Sequence, residues 1–305
     1  MSKKIVLIAG PTASGKSKIA IDIAKKIKGE IINADSMQVY REFSVLSSRP
    51  SKLDLKKVKH HLYGFQSAKK HFSTGAWLKL VKRQINLCIK NKKIPILVGG
   101  TGLYFQTITK GMSKIPHIDF KAREEIRELQ KKLGQKKFYK KLLKLDPLVK
   151  NKIELFDAQR SVRAYEVKKF TKKSIFKWYK LTKPEFKKFQ IVKIFIDTPR
   201  EKLLKNILKR VEQMFKNDCI KEVKLFLSLN IKPTLSANKI IGVREIKDYL
   251  LGVLNLTEAK ELINIKTRQY AKRQVTWARG HMLDWEKQYS NSFSSLSKKI
   301  LEVIS

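Results

Sequence analysis

The stretch Gly10-Pro11-Thr12-Ala13-Ser14-Gly15-Lys16-Ser17 fits the pattern G-x-x-x-x-G-K-[ST] and stands where that pattern must stand. The apolar run Ile5 to Ala9 precedes it and reads as a buried strand. Lys16 to Lys28 follows with helical spacing. A glycine-rich loop between a strand and a helix aims backbone N–H groups and a helix N-terminus at one point, which is a cradle for a diphosphate. Gly10 through Ser17 are therefore the expected diphosphate ligands, with Lys16 neutralising charge and Ser17 reaching a magnesium ion (Mg2+). The loop specifies a phosphate group and leaves open which phosphate compound carries it.

Working outward, Glu30 to Ala34 reads as a second strand, Trp77 to Lys90 as a helix and Ile94 to Val98 as a further strand. Short apolar runs alternating with helical stretches predict a parallel sheet wrapped by helices. From 118 to about 190 the strand runs stop. Positions 121 to 193 carry 24 basic and 8 acidic residues, a net charge of +16. Gln190 to Asp197 restores a β-branched strand, Arg200 to Val211 follows as a helix, and the last third is helical with a loop at Pro233. The predicted fold class is α/β, a P-loop NTPase-like parallel sheet core with an inserted basic helical domain. Its expected boundaries are 1–117 for the core, 118–190 for the insertion and 191–305 for the return to the core and the C-terminal helices.

The bulk composition narrows the function. With 305 residues, 42% of them hydrophobic, the chain can bury a substantial core and is not a disordered segment. No apolar run approaches the roughly 18 residues of a membrane span. The opening MSKKIVLIAG carries two lysines and a short apolar run, but a glycine-rich loop follows where a cleavage site would be needed, so it reads as the first strand. Cys88 and Cys219 are far apart, give neither a disulfide framework nor a zinc set, and suit a reducing cytoplasm. The formal charge is +42, from 68 basic and 26 acidic residues. A polyanion such as nucleic acid is the first candidate partner, although lysines spread over the whole chain also fit a compositional bias.

Asp35 ends the second strand, on the sheet edge that faces the ligand crevice in open α/β folds. A carboxylate there could touch substrate, cap a helix or hold magnesium. Val98 to Tyr104, VGGTGLY, ends the next strand; its glycines would let backbone approach a ligand, or simply make a tight turn, and Thr101 offers a hydroxyl at a helix start. An ATPase normally ends a hydrophobic strand in a magnesium-holding acid, but Ile94 to Val98 ends in Gly-Gly-Thr. His60 and His61 lack further ligands at metal spacing and read as packing or hydrogen-bonding groups. Trp77, Trp178, Trp277 and Trp285 read as core residues by default, with base stacking left open for one of them.

Seven stretches together resemble the tRNA dimethylallyltransferases, nearly end to end and in family order: GPTASGKS, ADSMQVYR at 34–41, HHL at 60–62, PILVGGTGLY at 95–104, DAQRSVRAYEV at 157–167, IIGVREI at 240–246 and TRQYAKRQVTWAR at 267–279. The resemblance implies that the loop holds the diphosphate of dimethylallyl diphosphate with magnesium, and that Asp35 is the general base for the adenine amine. It implies that Thr101 lies beside the reacting centre, with Lys16 the third catalytic residue. By the same resemblance tRNA, through its anticodon stem-loop, meets Asp35, Ser36, Met37, Gln38 and Thr101. Arg123, the segment Gln159, Arg160, Ser161, Val162 and Arg163, and the segment Ile240, Ile241, Gly242, Val243, Arg244 and Glu245 are further implied contacts.

Three places depart from the family. The IGTAKP-like stretch reads Val45-Leu46-Ser47-Ser48-Arg49-Pro50, Val243 replaces an aromatic residue, and Asn206 stands where an arginine is usual, leaving Arg210 as the expected diphosphate arginine. No C-terminal zinc finger of the eukaryotic kind is seen, which favours the bacterial type; a monomeric, cytoplasmic enzyme is also expected. The rival readings are an enzyme that prenylates free AMP, a small-molecule kinase and a non-catalytic RNA-binding protein.

Overall fold

The computed structural model describes residues 3–289 and 291–304; Met1 and Ser2, read above as leading into the first strand, lie outside them. The chain forms two compact units, Met1–Thr109 with Phe186–Ser305, and Lys110–Glu185. The first unit opens with β1 (Lys4–Ala9), α1 (Lys16–Lys26), β2 (Gly29–Asn33), α2 (Lys52–Lys57), β3 (His60–His61), α3 (Thr74–Lys90), β4 (Ile94–Gly99) and α4 (Gly102–Thr109). The second unit holds α5 (Phe120–Leu145), α6 (Ala158–Thr171) and α7 (Ile175–Lys180). The chain then returns through β5 (Gln190–Ile196), α8 (Arg200–Lys216), α9 (Cys219–Leu227), α10 (Val243–Leu250), α11 (Leu256–His281), β6 (Glu286–Gln288) and α12 (Phe293–Ile304).

All six strands pair in parallel in the order β3-β2-β4-β1-β5-β6, with Val6 opposite Ile96 and Ile5 opposite Ile191. Both faces are covered, which is why β1 is apolar at nearly every position. Ile5, Leu7 and Ala9 face Trp77, Val81 and Ile85 of α3 and Phe105 of α4. Val6 and Ile8, pointing the other way, meet Ile19 and Ile23 of α1 and Ile300 of α12. Each such fully buried aliphatic side chain contributes about 1.5–3 kcal/mol. The C-terminal ends of β1, β2 and β4 therefore deliver the P-loop, Asp35 and the Gly-Gly-Thr turn to one edge of a rigid sheet. A third cluster packs the chain after β2 (Val39, Tyr40, Phe43, Leu46) against α8, α9 and α10, with the Phe43 and Phe226 rings 4.6 Å apart.

The elements differ from expectation in identifiable ways. α1 stops at Lys26 because Lys28 takes φ 54°. α8 runs on to Lys216 because Met214 continues the buried stripe of Leu203, Ile207 and Val211. β3 and β6, of two and three residues, are too short to leave a periodicity. The insertion runs from 110 to 185 rather than from 118 to 190. Its ends hold each other, since Ser113 and Thr182 hydroxyls lie 2.6 Å apart and a Cβ on Gly111 would sit 2.2 Å from the Lys183 carbonyl. Phe186 instead packs in the sheet core. Within the insertion α5 is broken at Gly134 (φ 68°, ψ 160°), and its two halves share a core of Ile126, Phe138, Leu142, Val149, Tyr165 and Ile175.

Candidate active site

The P-loop curls because Ala13 and Gly15 both adopt left-handed backbone, φ 62° and 83°. Four side chains from distant parts of the chain hold it. Arg210 of α8 donates through Nη1 to Thr12 Oγ1 at 2.8 Å, and Asn206, one turn earlier, donates to the Ala13 carbonyl at 3.0 Å. Gln274 of α11 accepts the Thr12 N–H at 2.8 Å and donates to the Gly100 carbonyl at 2.9 Å. Thr198 adds a longer bond to the Ser14 carbonyl at 3.4 Å. The Asn206 that departs from the arginine pattern is thus a brace for the loop, while Arg210 supplies the charge.

Lys16 donates to the Pro11 carbonyl at 3.0 Å. Burial lowers its pKa to about 8, with the Arg210 charge adding to the fall and Asp35 opposing it. Burial likewise lowers Arg210, again opposed by Asp35. Two buried cations beside one carboxylate, with Arg210 Nε and Ser14 Oγ buried and without partners among the described residues, make a site whose unmet demand is for an anion. A bound diphosphate would restore the Lys16 ammonium, so binding takes up a proton above pH of about 8. The dissociation constant for inorganic pyrophosphate is expected to rise there by up to about tenfold per pH unit. Below that pH this group should leave it flat. Calorimetry between pH of about 7 and 9.5 checks both the slope and the proton uptake, and a pH-independent affinity would remove Lys16 from the cradle.

Asp35 does not cap a helix: residues 34–39 are irregular, ending in a turn at Gln38 and Val39, and no helix starts there. Its Oδ1 accepts the Met37 N–H at 2.9 Å, and its backbone is held by both ends of the buried Asn33 amide. Oδ2 takes no hydrogen bond among the described residues, and Asp35 lines the cavity. Thr101 precedes α4, but its Oγ1 accepts the Ser36 N–H at 2.9 Å, and its N–H reaches the Ala34 carbonyl at 3.2 Å. It therefore fixes the 35–38 turn. The glycines around it serve packing. A Cβ at Gly99 would lie 2.0 Å from the Ala34 carbonyl, at Gly100 2.1 Å from Gln274 Nε2, and at Gly102 2.2 Å from the Trp277 ring. They let α11 sit on the turn, where a close approach of ligand to backbone had been one expectation.

The cavity is about 650 Å³. Thr12, Lys16, Ser17, Arg210 and Arg273 make a polar, cationic end; Leu46, Met214, Ile240, Ile241 and Ile263 make an apolar wall. Its lip, Leu46 to Arg49, replaces the glycine-bearing family stretch and is held from outside. Glu222 accepts the N–H groups of Ser44, Val45 and Leu46, and Gln38 donates to the Ser47 and Ser48 carbonyls at 3.0 and 2.9 Å. Tyr270, raised by burial and further by Asp35, also lines the cavity, one helical turn from Thr267 and Gln274. Gln274, Tyr270 and Arg273 were not singled out from sequence; the spacing 267, 270, 274 within TRQYAKRQVTWAR was the available signal.

The expected RNA contacts divide. Gln159 and Arg160 are exposed, and Arg160 Nη1 lies 2.6 Å from Asp157. Ser161 is fully buried and accepts from Gln135, and Val162 packs into the insertion core, so these two face inward, because α6 turns that side to its core. Arg123 and Arg163 are partly exposed. In the other segment Ile240 and Val243 are core, Gly242 has φ 105°, and Glu245 is buried between the Gly242 N–H and Lys266. Arg244 is the exposed member, and Ile241 lines the cavity. Asp197 is exposed, pairs its backbone with Gln288 and takes no part in the cavity. His61 bonds Glu30 at 2.6 Å, and Trp77 is buried, donating to the Asn33 carbonyl.

Replacing Gln274 by Leu would leave the Thr12 N–H and the Gly100 carbonyl unpartnered, at about 1–3 kcal/mol for a buried group. The apparent KM for the phosphate substrate is expected to rise about 5- to 100-fold. Steady-state kinetics decide this, and an unchanged KM would show that the bridge does not order the loop.

The family model described as IPP transferase matches residues 38–281. A tRNA dimethylallyltransferase of Pelagibacter ubique is 56% identical over 284 residues, 93% of this chain and 91% of that protein. One from Rickettsia canadensis is 41% identical over 303 residues, 99% and 93% of the two chains. The crystal structure of full-length tRNA isopentenylpyrophosphate transferase from Bacillus halodurans superposes with a TM-score of 0.70 at 29% identity, covering 99% of this chain and 97% of that one. A sheet edge that joins an anion cradle, an open carboxylate and an apolar wall thus stands in a chain matched along almost its whole length. The protein belongs to the tRNA dimethylallyltransferase family.

Proposed function

We propose that the cavity binds dimethylallyl diphosphate and transfers its dimethylallyl group to N6 of the adenosine beside the anticodon of tRNA. The observation that carries the reading is Asp35. One of its oxygens is held by the turn and the other has no partner among the described residues, at a cavity with a diphosphate cradle and an apolar wall for a hydrocarbon. In the reaction the bond from the allylic carbon to the diphosphate oxygen breaks and the bond from that carbon to N6 forms. The N6 proton passes to Asp35, and diphosphate leaves. Lys16, Arg210 and the loop amides stabilise the leaving charge as it develops. The donor set fits magnesium: the Ser17 hydroxyl at the cavity is a hard oxygen, and this ion is commonly bound through one or two protein oxygens plus substrate phosphates. Ser17 would hold it, and it would supply charge neutralisation on the diphosphate.

The kinase alternative needs an acid at the end of β4, where Gly99 and Gly100 stand packed under Ala34 and Gln274. The target base must leave its stack to meet Asp35. Among the described residues no helix is long and apolar enough to cross a membrane. A monomer working in the cytoplasm, beside the RNA it modifies, is part of the same proposal. Purified protein is expected to release diphosphate only when dimethylallyl diphosphate, magnesium and tRNA are all present. Robust ATP hydrolysis stimulated by tRNA, with no prenylated nucleoside by mass spectrometry, would overturn the assignment.

A further inference from the structure

Glu166 of α6 is 1% exposed, one of the most buried charged residues described, yet it stands just under the surface of the basic insertion. A carboxylate withdrawn from water needs compensating charge. Here one oxygen, Oε2, faces two arginines: Arg163 Nη1 of the same helix donates to it at 3.0 Å, and Arg123 Nε of α5 stands 3.4 Å away as a charge pair, buried and without a hydrogen bond among the described residues. The two anchoring nitrogens are therefore no farther apart than those two distances combined. Both guanidinium side chains remain more than a third exposed, at 38% and 37%. One negative charge against two positive ones leaves an excess cation at the surface, with most of the ten guanidinium N–H donors not engaged by Glu166. This differs from the neighbouring Arg160–Asp157 pair, in which one exposed arginine is matched by one acid. Tyr179 of α7, exposed by about half, adds an aromatic ring on the same side: burial raises its pKa, and the Arg163 and Arg160 charges oppose the rise.

We propose that Glu166 is a positioning residue, which locks Arg123 and Arg163 into a preformed fork for a backbone phosphate of the tRNA substrate. Free guanidinium groups this close repel each other and wander through many rotamers. Anchored on a shared buried oxygen, they keep their planes and offer paired N–H donors to a phosphate, the geometry in which arginine binds most strongly. The inference rests on the tRNA reading above and adds the residue that orders the contact and the chemical group it receives.

The sign of one substitution separates this from bulk electrostatics. Glu166→Gln removes a negative charge, so a protein that bound RNA through net charge alone would bind more tightly. Positioning requires the opposite, because a neutral amide oxygen holds the two guanidinium groups far more weakly than a carboxylate and the screening between the two cations is lost. The test is fluorescence anisotropy of a labelled anticodon stem-loop RNA with the full chain, across a salt series. The expected result for Glu166→Gln is a dissociation constant raised about tenfold, and a log–log salt dependence shallower by about one, as for the loss of one phosphate contact. In an Arg163→Ala background the added loss should disappear. Should Glu166→Gln not fold, Arg123→Lys keeps the charge but has no planar guanidinium for Glu166 to orient, and the same tenfold weakening is expected. Unchanged or tighter binding by either folded variant, with the unmodified protein still binding, would overturn the proposal. Failure of the unmodified protein to bind the stem-loop would overturn the tRNA reading and this inference with it.

Discussion

Asp35→Asn is expected to reduce turnover about a hundredfold to ten-thousandfold, the usual cost of losing a positioned general base. The substitution is clean because of how Asp35 is held. The Asn side chain keeps an oxygen for the Met37 N–H, and the Asn33 amide that brackets the backbone is untouched, so the 35–38 turn should survive. What disappears is the ability of the second oxygen to take a proton. The charge also disappears, and Asp35 is what opposes the lowering of Lys16 and Arg210. The pH at which pyrophosphate binding begins to weaken should therefore move down, toward neutrality. Single-turnover transfer to an anticodon stem-loop gives the rate, and calorimetry gives the pH dependence. Near-normal turnover would leave Asp35 with its turn-forming role alone.

How much of this site could be read from sequence follows from distance along the chain. The P-loop was legible because every element of its meaning is local: a strand that is apolar throughout, a glycine-bearing turn, and a helix starting at Lys16. Asp35 was legible as to place, at the end of a buried strand, but its role stayed open among base, cap and metal ligand. Only the irregular 34–39 stretch, with no helix after it, removed the cap. The braces were not legible at all. Gln274 is 262 residues from Thr12, and Glu222 is 177 from Val45; no periodicity links such positions. The glycines of VGGTGLY were legible only in part. Their presence pointed to a close approach, and there is one, but what approaches is α11 and the Ala34 backbone. A glycine reports that space is needed without naming the neighbour. The 159–163 segment shows the limit of carrying a stretch over whole. On a helix, successive residues point about a quarter-turn apart, so Ser161 and Arg160 cannot both face a partner.

Binding of tRNA is expected to be steeply salt-dependent, falling roughly a thousandfold or more between about 50 and 200 mM salt if six or more phosphates are engaged. The expectation comes from the insertion, where positions 121 to 193 carry a net +16 and many of the lysines are exposed. An enzyme for free AMP would engage a single phosphate in a compact pocket and show a much shallower dependence. Specific residues should separate from the general field. Arg160 is largely exposed and partly offset by Asp157, whereas Arg163 sits in the pair anchored by Glu166. Replacing both by alanine should raise the apparent KM for tRNA and leave the KM for dimethylallyl diphosphate nearly unchanged, because the residues that line the donor cavity all belong to the other unit. If these arginines only solubilise α6, neither constant moves. Efficient prenylation of free AMP by the intact protein, at rates rivalling an anticodon stem-loop, would sink the tRNA assignment however steep the salt dependence.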